Sequence, residues 1–291
     1  MIVSIDRDTI YFLVTVFVLS IIVEYYIILC HLSGDYMYFQ VLLLLLMYMP
    51  VLSTSIIAVL IRGENLSKYD IKIGDLKLSP IAYIYPLVSI LIAAVIMSIL
   101  GFHIDWELAY LKEKLAQYSL SLGLTPDDVV EMLIMNSIIA PFFNMIFAVG
   151  EEVGWRGYLL SKFMEKNSIE TSLIFVGIIW ALWHAPLIIF IGYNYPSLRI
   201  YGLFLFIPFC ISHGIILAWL RIKSGGILLP ALGHGAVNAF GWLGAYLYPN
   251  NDLLNLLVGI PGIIVSSILA TIAYYDLKKV FSNNSNTLVL S

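Results

Sequence analysis

The sequence predicts an all-α, polytopic membrane protein with about eight transmembrane helices. Of its 291 residues, 61% are hydrophobic and only 12% are charged, whereas about a quarter of the residues in a soluble domain are charged. Several apolar runs reach the roughly 20 residues that an α-helix needs to cross a hydrocarbon core about 30 Å thick. We therefore expect an integral, multi-pass protein that is surrounded by the lipid bilayer.

The composition also excludes several classes of function. With 15 Lys and Arg against 19 Asp and Glu, the net charge is −4, and no basic run offers a footprint for nucleic acid. Cys30 and Cys210 lie within apolar stretches and form neither a metal-ligand spacing nor a disulfide framework. The sequence also lacks the motifs of serine hydrolases, nucleotide-binding proteins and zincins.

Eight apolar segments organise the chain as a single transmembrane domain over residues 1–281, followed by a short C-terminal tail at 282–291. The first segment contains Glu24 and lacks the basic leader and small-residue cleavage site of a secretory signal, so we interpret it as a retained helix. Apolar residues recur at near-helical spacing in the polar insertion at 102–131, which predicts an amphipathic interfacial helix. The segments fall near residues 10–30, 37–61, 80–101, 132–150, 171–191, 200–220, 226–248 and 253–275.

The distribution of cations predicts how these segments are oriented. Lys and Arg in short loops are retained on the cytoplasmic side of a membrane. With eight spans, 12 of the 15 cations fall on the side that holds both termini, which predicts that the N and C termini are cytoplasmic. The twelve are Arg7, Arg62, Lys68, Lys72, Lys77, Arg156, Lys162, Lys166, Arg221, Lys223, Lys278 and Lys279; the other three are Lys112, Lys114 and Arg199.

Two adjacent carboxylates, Glu151 and Glu152, end the fourth segment. An ionisable group at membrane depth is costly and is a functional candidate by default. On a continuous helix Glu152 and Arg156 are four residues apart and can form an ion pair. Glu151 points about 100° away and has no such partner, so it is a candidate general base. Alternatively, both glutamates lie just beyond the helix, solvated among the lipid headgroups.

Three polar residues on two other segments fall at a similar depth. His184 lies in the fifth segment, and His234 and Asn238 lie on one helix face of the seventh because they are four residues apart. The fourth and fifth segments form a hairpin near Ser168, so Glu151 and His184 are level at about 1.5 Å per residue. By the same rise, His234 is about 14 Å and Asn238 about 20 Å from the start of their segment. We therefore expect four polar groups from three helices to share one layer.

Other residues near this layer are candidates for supporting roles. We expect His213, in the sixth segment, to be a structural residue or a hydrogen-bonding neighbour of the site. Four tryptophans are expected to line a groove that substrates reach from the lipid, although aromatic residues are also common at bilayer interfaces. These are Trp155, Trp180, Trp183 and Trp242.

Three motifs follow one another on successive apolar segments: Glu151-Glu152-x-x-x-Arg156, Trp180-x-x-x-His184 and His234-x-x-x-Asn238. Together, within residues 140–245, they resemble the CAAX protease and bacteriocin-processing enzyme family, also called the Abi family of intramembrane proteases, in its prokaryotic form. Trp180 stands where this family often has Phe. The resemblance implies an eight-helix fold in a prokaryotic cell membrane, a polar cavity open toward the cytoplasm, and hydrolysis of peptide bonds within the membrane.

The resemblance also implies a role for each residue. Glu151 would activate a water molecule, and His184 would orient that water or carry its proton. His234 and Asn238 would stabilise the oxyanion, with the glutamate–arginine ion pair as support. This mechanism needs no cofactor. A zinc-dependent version is the alternative, in which Glu151, His184 and His234 bind the metal and water is the fourth ligand.

We therefore expect an intramembrane endopeptidase that acts near the cytoplasmic leaflet on a membrane-associated or lipidated protein or peptide. Eukaryotic members of the resembled family remove the last three residues of prenylated Cys-a-a-X proteins. A prenylated CAAX-like protein is therefore one candidate for the substrate of this chain. The competing interpretations are a non-catalytic protein of bacteriocin-immunity or scaffold type, and a carrier of protons or small solutes.

Overall fold

The computed structural model describes residues 3–69 and 72–289, and it describes side chains as far as residue 281. Within these residues all regular structure is helical, without strands. The long helices are α1 (Arg7–Ser33), α2 (Tyr36–Ile61), α3 (Leu76–Ile99), α4 (Ala109–Ser121), α5 (Pro126–Met164), α6 (Ile169–Ile191), α7 (Ile200–Ser224), α8 (Leu228–Tyr246) and α9 (Ile260–Val289).

Seven of these helices are long and apolar enough to cross a membrane, which confirms the all-α, polytopic fold. The two others in the described chain are α4, which lies in the insertion predicted to hold an amphipathic helix, and α8. Helix α8 is the predicted seventh segment, but its 19 residues include His234, Asn238 and four glycines, which lower its hydropathy. It packs against α3, α5 and α7 and is mostly buried. A helix enclosed by other helices does not need an apolar surface for lipid.

The last helix begins later than the sequence predicts, at Ile260 instead of near residue 253. The segment before it contains a short 3₁₀ turn at Asp252–Leu254, which Asn251 caps and which ends at Asn255 in a non-helical backbone conformation, so the helix does not begin there. Helix α9 then runs to Val289, so the backbone of the tail predicted at 282–291 is helical up to that residue, and its last two residues lie outside the described chain. The division into one domain and a tail stays a prediction.

The outer surface of the bundle suits lipid, whereas its interior holds polar groups. Large apolar side chains are exposed along α1, α3 and α5, among them Val18, Ile92 and Phe143. Such a surface is unfavourable in water but ordinary in a bilayer. Ionisable side chains are buried inside instead, which is where functional groups in membrane proteins are found. They include Glu24, Glu151, Glu152, Arg156, His213 and His234.

The loops lie at two opposite ends of the bundle, because successive long helices run in opposite directions. At the end that we call the terminal face, the Ser4 backbone N–H donates to Asn167 Oδ1 at 2.9 Å. At the end that we call the opposite face, the Ser197 backbone N–H donates to Asp252 Oδ2 at 2.7 Å. The terminal face comprises residues 3–6, 62–69, 72–75, 165–168 and 225–227, and the opposite face comprises residues 34–35, 100–125, 192–199 and 247–259.

Gly235 determines how closely α8 approaches α5. A Cβ atom at Gly235 would lie 2.5 Å from the Pro141 carbonyl oxygen and 2.6 Å from the Met145 nitrogen. Because these are backbone atoms, we expect Gly235→Ala to push the helices apart and to lower the free energy of unfolding by about 1–3 kcal/mol, as overpacking does. Thermal unfolding in detergent measures this. The control is Gly241→Ala on the same helix, where a Cβ atom meets only the Leu257 side chain at 3.5 Å; equal melting temperatures for the two variants would contradict the close approach.

Candidate active site

Two indole groups hold the carboxylate of Glu151. The Glu151 side chain is buried in α5, with the residue 2% exposed. Its Oε2 accepts hydrogen bonds from Trp180 Nε1 at 2.8 Å and from Trp155 Nε1 at 3.2 Å. Its Oε1 lies 4.0 Å from His234 Nε2, which is too far for a direct hydrogen bond. One oxygen is therefore anchored, while the other faces the histidine of a different helix.

Glu152 links the arginine of its own helix to His234 on α8. Glu152 Oε1 accepts a hydrogen bond from Arg156 Nη1 at 2.9 Å and one from His234 Nδ1 at 2.8 Å. The three residues are 0%, 1% and 4% exposed, so the predicted ion pair is present and fully buried. The alternative in which Glu151 and Glu152 are solvated among headgroups is wrong, because α5 continues beyond them to Met164.

Helix α5 changes to a π-helical turn directly after the two glutamates, at Val153–Leu159. Single π-helical turns within α-helices often occur at functional sites. Gly154 in this turn packs against α2, where a Cβ atom would lie 2.3 Å from Pro50 Cβ. The turn also carries Arg156, whose guanidinium carbon lies 4.1 Å from the centre of the Trp180 ring. The cation of this turn, the two carboxylates before it and the Trp180 indole of α6 therefore lie close together.

His184 lies at a break in α6, and this break determines which ring nitrogen faces outward. The first part of the helix ends at Trp183 and the second begins at Ala185. Pro186 has no N–H to donate to the preceding turn, so the α-helical ladder cannot continue through this point. His184 Nδ1 lies 2.9 Å from the Trp180 carbonyl oxygen, which can only accept, so Nδ1 carries the hydrogen. In the neutral ring, Nε2 is then an acceptor.

The four predicted catalytic residues line one cavity of about 640 Å³. Glu151, His184 and His234 come from α5, α6 and α8, and Asn238 lies one helical turn beyond His234. The Asn238 side chain is exposed in spite of its place on the most enclosed helix. The predicted layer of four polar groups therefore faces a common space, as a shared catalytic centre requires.

This cavity extends from the catalytic layer to the opposite face. Its outer lining includes Tyr110 of α4 and polar residues of the loops at 192–199 and 247–259. Among the described residues, no lining residue comes from a loop of the terminal face. The sequence predicted both a cavity open toward the cytoplasm and cytoplasmic termini, but the structure places the cavity and the termini at opposite ends, so the two predictions exclude each other.

Of the five residues predicted to support the site, three line the cavity and two do not. His213 Nδ1 donates to the Phe209 carbonyl oxygen at 3.2 Å, and its ring packs against the Phe209 ring with 4.1 Å between centres. It does not line the cavity, which favours a structural role. Trp155 is fully buried beside Glu151 and does not line the cavity either. The other three predicted tryptophans do: Trp180, Trp183 and Trp242.

Comparison with known proteins agrees with this geometry. The family model described as type II CAAX prenyl endopeptidase Rce1-like matches residues 127–240, a stretch that contains all the motifs. The CAAX prenyl protease 2 of Methanococcus maripaludis is 30% identical over 213 residues, which cover 71% of this chain and 72% of that protein. The chain belongs to the CAAX prenyl protease family. The resemblance inferred from the three motifs is thereby confirmed.

Membership in the CAAX prenyl protease family, together with the helical bundle, establishes a peptidase that is integral to the membrane. Its partners are therefore a protein substrate and the bilayer. The seven apolar helices provide the membrane setting, and the polar cavity lies among them.

Helical spacing could have placed two residues on the same helix face as Glu151: Trp155, which was expected only to line a groove, and Asn144. Trp155 is four residues after Glu151, the spacing at which side chains on a helix meet, yet a tryptophan in an apolar segment usually indicates packing. Asn144 is seven residues before Glu151 and thus on the same face. It lines the cavity, and its Nδ2 donates to the Gly235 carbonyl oxygen at 3.3 Å.

Removing the shorter indole bond tests how Glu151 is oriented. Trp180→Phe keeps an aromatic ring under Arg156, so the variant should fold. We expect the peptidase rate to fall about tenfold, since a hydrogen bond to a charged group contributes about 1.5–3 kcal/mol. Cleavage rates of the purified variants measure this. Trp219→Phe is the control, because that indole donates to Asp276 Oδ2 instead; equal rates for both variants would contradict the role of Trp180.

Proposed function

We propose that this protein is a glutamate-type intramembrane endopeptidase that hydrolyses a peptide bond of a membrane-associated protein. The observation that carries the proposal is the convergence of Glu151, His184, His234 and Asn238 on one cavity. Amide hydrolysis needs a base for water and donors for the carbonyl oxygen. The four residues supply both.

Glu151 and His184 are the groups that activate water in this proposal. Glu151 Oε2 is fixed by Trp155 and Trp180, which leaves Oε1 to accept a proton from a water molecule in the cavity. His184 Nε2 accepts a second hydrogen bond from the same water, because Nδ1 is occupied by the Trp180 carbonyl oxygen. The water oxygen then attacks the substrate carbonyl carbon. The proton on Glu151 passes to the leaving amine as the C–N bond breaks.

His234 and Asn238 stabilise the oxyanion that this attack creates. In this proposal both ring nitrogens of His234 carry a hydrogen: Nδ1 donates to the Glu152 carboxylate, and Nε2 donates to the oxyanion. The Asn238 amide provides the second donor one turn away. Loss of a single oxyanion donor typically lowers the rate about 10²- to 10³-fold. The Glu152–Arg156 pair is thus a positioning element for His234.

The zinc-dependent alternative would require Glu151, His184 and His234 on one ion. Within the described part of the chain, no three His, Cys, Asp or Glu side chains are grouped so that they could hold a metal ion. The proposed mechanism therefore contains no metal step. We expect cleavage to be unchanged by a chelator such as EDTA or 1,10-phenanthroline. Loss of activity that added Zn²⁺ restores would overturn the metal-free mechanism.

The substrate that we propose is a membrane-anchored or lipidated protein or peptide. The Methanococcus maripaludis relative is named CAAX prenyl protease 2, and a prenylated C-terminal CAAX peptide is therefore a suitable first probe. The cavity can accept apolar groups, because Leu43, Leu187 and Phe206 line it together with the polar layer.

Cleavage by the purified protein in detergent tests the proposed function. The probes are a farnesylated CAAX peptide and a set of transmembrane peptides, with products identified by mass spectrometry. We expect cleavage of at least one probe by the wild-type protein and none by Glu151→Gln. A non-catalytic immunity or scaffold protein would protect or assemble equally well with Glu151→Gln, and a carrier would move protons or solutes into liposomes without cleaving any probe. Either result would contradict the proposal.

A further inference from the structure

The Glu152–Arg156 ion pair is surrounded by buried polar atoms whose hydrogen bonds are incomplete. Within the described residues, Glu152 Oε2, Arg156 Nε, Arg156 Nη2, Tyr85 Oη and His213 Nε2 are buried without a hydrogen-bond partner. Each of the four residues is at most 6% exposed, so bulk solvent does not satisfy these atoms. An unpaired donor or acceptor in a protein interior is unfavourable and often marks the position of a bound water or ion.

These atoms come from α3, α5 and α7 and lie close together. The centres of the Tyr85 and His213 rings are 6.0 Å apart. A Cβ atom at Gly214, the residue after His213, would lie 3.4 Å from Arg156 Nη2. Tyr85 also interacts electrostatically with both Glu152 and Arg156. None of the four residues with unpaired atoms lines the catalytic cavity, so they face a different region of the interior.

Two glycines leave space beside the guanidinium group of Arg156. Gly214 of α7 and Gly177 of α6 are both buried. Apart from the backbone of its own helix, the described chain places only two atoms within 4 Å of a Cβ atom at Gly214, namely Arg156 Nη2 and Gly177 Cα at 3.9 Å. A side-chain position in a close-packed interior ordinarily touches more atoms. The bundle is therefore loosely packed where Arg156 Nη2 lacks a partner, and a water molecule needs little space.

The donors and acceptors suit water better than an ion. Arg156 Nε and Nη2 only donate, and they share one edge of the planar guanidinium, whereas the ionised Glu152 carboxylate only accepts. His213 Nδ1 donates to the Phe209 carbonyl oxygen, so Nε2 of the neutral ring accepts, and Tyr85 Oη can do either. Glu152 would repel an anion and Arg156 would repel a cation. Water is uncharged and both donates and accepts.

We propose that one or more ordered water molecules bind among Arg156, Glu152, Tyr85 and His213, a location that we call the rear site. Buried waters in proteins typically make about three hydrogen bonds to groups that would otherwise be unpaired. The water in the rear site bonds the free edge of Arg156 and links it to the acceptors around it. It thereby restores part of the solvation that a buried ion pair loses.

The rear site also extends the network that holds His234. Glu152 Oε1 accepts from His234 Nδ1 at 2.8 Å, while Glu152 Oε2 faces the rear water. Tyr85 and His213 are therefore positioning residues, which act through water on the ion pair and through the pair on His234. This consequence for catalysis rests on the proposed function, whereas the bound water does not.

A crystal structure of the full-length protein, at a resolution that shows ordered water, tests the site directly. We expect density at hydrogen-bonding distance, about 2.7–3.2 Å, from Arg156 Nη2 and from at least one of Tyr85 Oη and Glu152 Oε2. Side chains that bond one another directly, with no density between them, would overturn the proposal. Crystals soaked in bromide would reveal an anion by its anomalous signal, and a bromide peak in the rear site would equally overturn the assignment of water.

Removing the Tyr85 hydroxyl is an independent test, because the direction of its effect depends on the water. With water bound, Tyr85→Phe removes a hydrogen bond, and we expect the melting temperature in detergent to fall by about 2–4 °C. In a dry site the substitution would remove an unpaired polar group and raise the melting temperature. Tyr83→Phe is the reference on the same helix, because Tyr83 Oη donates directly to the Ile138 carbonyl oxygen at 2.7 Å. A fall for Tyr83→Phe together with a rise or no change for Tyr85→Phe would overturn the proposal.

The effect on catalysis is measured with a peptide that the wild-type protein cleaves in detergent. We expect Tyr85→Phe to lower kcat several-fold with little change in KM, because the substitution disturbs His234 and not the lining of the cavity. Tyr83→Phe should leave both constants close to those of the wild type. Equal kcat values for the two variants would overturn the positioning role. If the wild-type protein cleaves no peptide, the proposed function fails, while the crystal structure and the melting temperatures still decide whether water occupies the rear site.

Discussion

Glu151→Gln is expected to lower peptide cleavage about 10²- to 10⁴-fold, the range that a positioned general base contributes. The amide oxygen of Gln can accept the hydrogen bonds that Trp155 and Trp180 donate to the carboxylate, so the side chain should keep its position. What the substitution removes is the ability of the other oxygen to take a proton from water. The measurement is the single-turnover cleavage rate of the purified variant.

Glu24→Gln is the matched control for this experiment. Glu24 is also a buried carboxylate, 2% exposed, but it belongs to α1 and does not line the catalytic cavity. The same chemical change at Glu24 should leave the cleavage rate close to that of the wild type. If Glu151→Gln retained full activity, or if the two variants lost activity equally, Glu151 would not be the base.

Arg156→Met is expected to give the largest loss of stability among substitutions near the site. It removes the arginine from the buried Glu152 carboxylate and leaves His234 as its remaining partner, and breaking one side of a buried ion pair typically costs about 3–5 kcal/mol. Thermal unfolding in detergent should show a large fall in melting temperature. The control is Arg62→Met, which removes an arginine that pairs with Asp8 at the surface. Exposed pairs contribute about 0–1 kcal/mol, so a fall of similar size in both variants would contradict the buried pair's importance.

The double variant Glu152→Gln/Arg156→Met separates stability from catalysis. Replacing both members of a buried pair by neutral groups of similar size is often close to neutral for stability, so much of the melting temperature should return. Activity should not return, because His234 Nδ1 would then donate to an amide that carries no charge. Recovery of both properties would show that the pair acts only in folding.

The fold was largely predictable because helices in a membrane must be about 20 apolar residues long. The sequence predicted the start of the last segment near residue 253, whereas the helix begins at Ile260. Apolar residues such as Leu254 and Leu257 caused this error: they belong to the preceding loop and pack against the core. Helix α8 shows the opposite limit: it is recognisable by its motif but falls below the hydropathy of the seven helices that are apolar enough to cross a membrane, because protein rather than lipid surrounds it.

Much of the site was predictable from spacing along single helices, and contacts between helices were not. The Glu152–Arg156 pair follows from four-residue spacing, and the shared depth of Glu151 and His184 follows from the rise of a helical hairpin. The bond between Glu152 and His234, 82 residues apart in the chain, depends on how α8 packs against α5. The position of the cavity mouth likewise required the bundle, since the same polar layer could have faced either end.

In the proposed mechanism, one peptide bond of the substrate is held among Glu151, His184, His234 and Asn238. The most direct test is a crystal structure with a bound peptide phosphinate, whose tetrahedral centre mimics the hydrated amide. We predict one phosphinate oxygen within hydrogen-bonding reach, about 2.6–3.2 Å, of Glu151 and His184, and the other within reach of His234 and Asn238. A phosphinate bound elsewhere, or these four side chains turned away from it, would contradict the account.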